Sequence, residues 1–166
     1  MDAFVINGGS RLSGSVEVNG SKNACLPLMA AALLTDQPVT LRHVPRLADI
    51  TNMLNLLERL GCSVDEHESE GKRSITLMVE DESLSTAPYD IVRTMRASIC
   101  VLGPMLARRG EARVSMPGGC AIGDRPIDLH LRGMEALGAD IELESGNITV
   151  TAKKLRGAKV FLGGPY

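Results

Sequence analysis

An α/β fold assembled from repeated units is the class this sequence predicts, and three observations carry the prediction. The phrase LERLGCSVDE at Leu57 returns as MEALGADIEL at Met134, 77 positions later. Around both phrases the same patterns recur in the same order: an apolar helix, a strand, an amphipathic helix and two alternating strands. Repeated supersecondary order of this kind marks stacked units. The third observation is the core material. With two Phe, two Tyr and no Trp in 166 residues, of which 44% are hydrophobic, the interior has to be aliphatic. That length is enough to bury one core.

Residues 3–18 alternate loosely around glycine turns, and VEV at 16–18 reads as a short strand. Residues 22–34, rich in Ala and Leu, predict a helix buried nearly all round, capped by Ser21 and ended by Pro38. VTLRHV, residues 39–44, reads as a strand closed by Pro45. Leu47, Ile50, Leu54, Leu57 and Leu60 then recur at helical spacing, with Asp49, Asn52, Asn55, Glu58 and Arg59 on the wet side and Gly61 as the stop. Strands are expected near 63–67 and 74–79, joined by the charged turn ESEGKR, and residues 80–88 read as a hydrophilic connection.

The second round predicts one long apolar helix over 91–109 and a strand over 112–116. An amphipathic helix over 127–137 follows, stopped by Gly138, and then the strands ADIELE and NITVTA. A further echo relates LSGSVEV at Leu12 to LRGAKVF at Leu155, about two units apart. The expected organisation is therefore an N-terminal strand segment (1–20), repeat unit 1 (21–89), repeat unit 2 (90–154) and the start of a truncated third unit (155–166).

Composition excludes several function classes. The net charge of −2 comes from scattered charges, without the basic stripe and aromatic platform of a nucleic-acid binder. Cys25, Cys62, Cys100 and Cys120 form no C-x-x-C pair, and His43, His67 and His130 show no ligand spacing. Neither a metal site nor a disulfide framework is predicted, and reduced thiols in a cytoplasmic protein are the simplest account. The N-terminus MDAFVINGG lacks the regions of a signal peptide. The longest apolar stretches, 24–34 and 97–107, fall short of the roughly 20 residues of a membrane span, and each contains a proline. No membrane insertion is expected. Nucleotide loops are also missing: Asp124-Arg125 stands where a Walker loop needs Lys-Ser/Thr, and neither G-x-G-x-x-G nor G-x-S-x-G is present. No cofactor is expected.

What remains for chemistry is the loop MPGGCAIGDR, residues 116–125, with three cations. Gly118 and Gly119 leave space beside Cys120, and Asp124 with Pro126 predicts a helix start just beyond it. That end of a helix favours a thiolate or a phosphate. On these residues alone the loop reads either as a tight turn with a small buried thiol or as the seat of a reactive cysteine. Lys22 opens an otherwise nearly uncharged helix, where burial would demand an anionic partner. Arg96, near Arg93, enters the second apolar segment, and Arg125 follows the cysteine loop. Singly each reads as a surface or salt-bridged residue. Together they predict a pocket for a phosphorylated or carboxylated small molecule, because guanidinium groups grip oxyanions at two points.

The three separated segments GSKNACLPLMAAALL, PYDIVRTMRAS and MPGGCAIGDRPIDLH, in this order, closely resemble the UDP-N-acetylglucosamine enolpyruvyl transferase family, and the likeness runs from Val5 to about Leu162. The resemblance implies an inside-out α/β barrel of repeated β-α-β-α-β-β units, with helices packed inside and sheets facing out, of which this chain is a partial domain. Family members are more than twice as long, with two such domains, and residues 1–20 would belong with the second.

The implied reaction transfers an enolpyruvyl group from phosphoenolpyruvate to the 3-hydroxyl of UDP-N-acetylglucosamine by addition and elimination. It is the first committed step of bacterial peptidoglycan synthesis, and so bears on cell-wall biogenesis, cell shape and division. By resemblance, Lys22 contacts phosphoenolpyruvate and assists the reaction, Asn23 binds the amino sugar, and Arg96 and Arg125 stand near phosphate. Cys120 matches the mobile-loop cysteine that adds to phosphoenolpyruvate and is alkylated by fosfomycin; some members carry aspartate there. Pro126, Ile127, Asp128 and Leu129 match the segment around the uracil ring, and His130 carries no assigned role. Two departures bear on the expectation. The family's aspartate base and further arginines lie in the half this chain lacks, so it should be inactive without the remainder of the same enzyme. Also, GGPY stands where many members have a serine-valine-glycine turn that helps hold the nucleotide. The alternatives are a non-catalytic nucleotide-sugar-binding fragment or paralogue, and the related shikimate-pathway enolpyruvyl transferase.

Overall fold

The Ser21 hydroxyl accepts from the Ala24 amide at 3.4 Å and starts helix α1, Lys22–Ala31, as a side-chain cap should. The structure, a computed structural model, describes residues 3–116, 127–161 and 163. After α1 and a 3-10 turn at Ala32–Leu34 come β1 (Val39–Arg42), α2 (Ala48–Arg59), β2 (Cys62–Ser69) and β3 (Lys72–Val79). A short β4 (Thr86–Ala87) leads to α3 (Tyr89–Val92), a 3-10 segment at Arg96–Val101 and α4 (Leu102–Arg109). Then follow β5 (Glu111–Ser115), α5 (Asp128–Ala136), β6 (Asp140–Glu144) and β7 (Asn147–Thr151).

The strands make two sheets with one repeated topology. In the first, β3 lies between β1 and β2, and both pairings are antiparallel. In the second, β7 lies between β5 and β6 in the same way, and β4 adds a parallel edge on β5. Each sheet turns one face to the core: Ile75 and Leu77 of β3, Ala112 and Val114 of β5, and Ile148 and Val150 of β7 are fully buried. α1 packs against α2 and the Arg96–Val101 segment, while α4 packs on β5 and on the turn that ends α1. The two halves thereby share one aliphatic core. Arg109 on α4 strengthens the join, because its guanidinium donates to the Leu60 carbonyl at 2.8 Å and to the Leu84 carbonyl.

α2 answers the sequence pattern closely. Ile50, Met53, Leu54, Leu56 and Leu57 are buried, and the helix stops at Gly61 with φ +86°. A Cβ there would sit 2.1 Å from the Asp81 carbonyl oxygen, so both conformation and space require glycine.

Several expectations need correction. The apolar run 91–109 is not one helix: Met95 adopts extended backbone and separates α3 from the 3-10 segment, with its own side chain only 4% exposed. The Thr94 hydroxyl bonds to the Ile91 carbonyl at 2.7 Å and closes α3. Pro104 falls in the first turn of α4, where a missing amide hydrogen costs nothing, so the change from 3-10 to α geometry ahead of it suits the sequence. Nor is the segment 22–34 buried nearly all round, since Leu28 in α1 and Leu34 in the 3-10 turn are about half exposed. The connection 80–88 contains β4, which exists through its pairing with β5. Residues 16–18 and 155–161 form no strand, because neither has a ladder partner among the described residues; Val16 and Val18 are about nine-tenths exposed.

Among the described residues no helix is long and apolar enough to cross a membrane, and no His/Cys/Asp/Glu cluster could hold a metal ion. Cys25, Cys62 and Cys100 are free thiols. Burial raises all three above the ordinary cysteine range, Cys62 to about 11, which leaves little thiolate at neutral pH.

Candidate functional site

Two helix N-termini and the start of the 3-10 segment meet around one open cavity of about 450 Å³. Lys22 and Asn23 come from the first turn of α1, Asp49 from the first turn of α2, and Arg96 from the first residue of the 3-10 segment. Leu26, Met95, Ile99 and Cys100 supply an apolar wall. The positive ends of α1 and α2 add to the Lys22 and Arg96 charges, so the cavity is suited to an oxyanion.

Local backbone chemistry explains the placement. Gly20 passes so close to β1's exit that a Cβ on it would lie 1.9 Å from the His43 carbonyl oxygen. Only glycine allows this approach, and it sets where Ser21 caps α1 and Lys22 leaves the backbone. Pro27 inside α1 cannot donate an amide hydrogen to the Asn23 carbonyl, so the first turn of this helix lacks one i+4 bond. The break at Met95 makes Arg96 the first residue of the 3-10 segment, where it lines the same cavity.

Lys22 is salt-bridged and partly exposed, as its reading on its own expects. Its side chain is 41% exposed and its Nζ stands 2.6 Å from Asp49 Oδ2, with the Asp49 side chain 33% exposed. The requirement for an anionic partner is met by this carboxylate. Asp49 is the site residue that sequence reasoning missed. It counted toward the wet face of α2, and nothing in its pattern announces a partner 27 residues earlier.

The cavity thus unites Lys22, Asn23 and Arg96. Ile127, at the N-cap position of α5, is buried; Asp128 opens that helix and is exposed; Leu129 is half-buried. None of the three lines the cavity. Cys120, Arg125 and Pro126 lie outside the described residues. Cys100 is the cavity's own thiol, and burial makes it a weak nucleophile.

A family model described as EPSP synthase (3-phosphoshikimate 1-carboxyvinyltransferase) matches residues 6–165. A UDP-N-acetylglucosamine 1-carboxyvinyltransferase of Gluconacetobacter diazotrophicus is 56% identical over 164 residues, covering 98% of this chain and 38% of that protein. A protein of the same name from Myxococcus xanthus is 54% identical over 160 residues, covering 96% of this chain and 38% of its own length. Among solved structures, the enolpyruvyl transferase NikO from Streptomyces tendae superposes with a TM-score of 0.71 at 25% identity, over 89% of this chain and 32% of that one. The chain therefore spans about 38% of the length of these curated relatives.

Proposed function

The chain belongs to the EPSP synthase family of enolpyruvyl transferases, and from that premise we propose that it supplies the N-terminal part of a UDP-N-acetylglucosamine 1-carboxyvinyltransferase. The observation that carries the reading is the cavity in which Lys22, Asn23 and Arg96 converge. Phosphoenolpyruvate brings a phosphate and a carboxylate, and a site for it has to gather positive charge. The acceptor is favoured by the relatives at 54% and 56% identity, both of which are named UDP-N-acetylglucosamine 1-carboxyvinyltransferase. A shikimate-type acceptor is the second reading, and the family model's description speaks for it.

In the proposed reaction the sugar 3-hydroxyl oxygen adds to C2 of phosphoenolpyruvate as C3 takes a proton. Loss of a C3 proton and of phosphate then restores the double bond. Lys22, Arg96 and Arg125 stabilise the oxygens on which charge develops, and such preorganised charge is commonly the largest contribution to rate. Asn23 orients the amino sugar, and the segment Pro126, Ile127, Asp128 and Leu129 borders the uracil. Cys120 acts as the acid toward C3 or as covalent holder of the enolpyruvyl group. The remainder of the same enzyme supplies the base. The reading places the protein in the cytoplasm, in peptidoglycan synthesis.

A chimera tests this: residues 1–166 followed by the remaining portion of the Gluconacetobacter diazotrophicus relative. Incubated with fosfomycin and UDP-N-acetylglucosamine, it is expected to gain the mass of one fosfomycin, mapped to Cys120, and Cys120→Ala to gain none. An unmodified Cys120 under these conditions overturns the assignment of that residue.

A further inference from the structure

We propose that Asp49 is a counter-carboxylate for the anion site: it holds the Lys22 ammonium in position and offsets part of its charge, so that an arriving oxyanion has to share Lys22 with it. The inference rests on the anion-site reading above and goes beyond it by naming the group with which the ligand has to compete. Asp49 Oδ2 is 2.6 Å from Lys22 Nζ, and both side chains line the cavity that Arg96 enters. An ammonium has three donors, so the contact fixes one and leaves the others for a ligand. The pair is also accessible: with 41% and 33% of the two side chains exposed, an anion can approach Lys22 without unfolding anything.

Asp49 has a second reason to stay. It sits in the first turn of α2, whose N-cap position, Leu47, offers no side-chain cap, and a carboxylate there offsets the positive end of the helix. Asp49 is thus a positioning residue with a negative charge directed into a site built for anions. Lys22 is kept oriented at the cost of part of its attraction for the ligand.

A merely structural salt bridge between α1 and α2 makes a different prediction. Its loss would weaken the fold and leave anion affinity unchanged or lower. Removing a counter-charge should instead raise that affinity.

The 166-residue chain, titrated with phosphoenolpyruvate and followed by amide chemical shifts, separates the two. Asp49→Asn is expected to bind roughly tenfold more tightly than the wild-type chain, as removal of one like charge near a half-exposed site implies. Asp49→Glu is expected to restore wild-type affinity, and the double variant Lys22→Gln/Asp49→Asn to lose the gain. Equal or weaker binding by Asp49→Asn, alongside wild-type binding that depends on Lys22, overturns the counter-carboxylate and leaves the anion site standing. If Lys22→Gln binds as well as wild type, the anion-site reading fails and this proposal with it.

Discussion

Lys22→Gln in the chimera is expected to lower kcat/KM for phosphoenolpyruvate by about three orders of magnitude, the scale on which preorganised charge at an oxyanion acts. Two effects of one sign combine. The point charge at the cavity is lost, and Asp49, deprived of its partner 2.6 Å away, remains as an uncompensated negative charge facing the ligand. Lys22→Arg should recover little of this. A planar guanidinium replaces a compact ammonium, and its fork cannot take the same place between Asp49 and an incoming oxyanion. Steady-state phosphate release checks both variants, and circular dichroism confirms that they fold. Activity within tenfold of wild type for Lys22→Gln would remove Lys22 from the site.

The second large effect concerns the repeat. Leu57 and Met134 occupy equivalent places in LERLGCSVDE and MEALGADIEL, yet Leu57 is fully buried while α5, which carries Met134, has no buried residue. Leu57→Ala should therefore create a cavity costing about 3 kcal/mol. In a domain of this size that lowers Tm by roughly 6–12 °C. Met134→Ala, at a position only partly packed on the core, should cost below about 1 kcal/mol. Thermal and urea unfolding of the two variants side by side checks the difference. Equal losses would mean that α5 is packed as firmly as α2.

These contrasts show which parts of the fold are legible in the residues. α2 declares itself because a buried face at i, i+3 and i+4 needs no knowledge of what covers it. The two hairpins follow from alternation and from the turns Glu70-Gly71 and Ser145-Gly146, all four residues at positive φ. The break at Met95 does not show, since an extended residue with a buried side chain leaves the apolar run uninterrupted. β4 and residues 16–18 make the complementary point. Two residues in a hydrophilic connection become a strand because β5 lies beside them, while a well-patterned VEV joins no sheet among the described residues.

The site divides in the same way. Lys22 and Arg96 stand out by local context and Asn23 by the family likeness, and the three share a cavity. Asp49 does not stand out, because its importance comes from the crossing of α1 and α2, and a polar residue on the wet face of a helix carries no mark of that. Its nearest sequence signal is its position in the first turn of a helix without a side-chain cap, which is a reason for an acid there and not for a lysine partner.

We propose that this chain carries the N-terminal share of a UDP-N-acetylglucosamine enolpyruvyl transfer site. The most direct test is acceptor choice by the chimera, measured as phosphate release from phosphoenolpyruvate with mass detection of the product. Release is expected with UDP-N-acetylglucosamine, with a product heavier by one enolpyruvyl group, and no reaction with shikimate 3-phosphate. Transfer to shikimate 3-phosphate, or none to either acceptor from a folded chimera, would contradict the proposal.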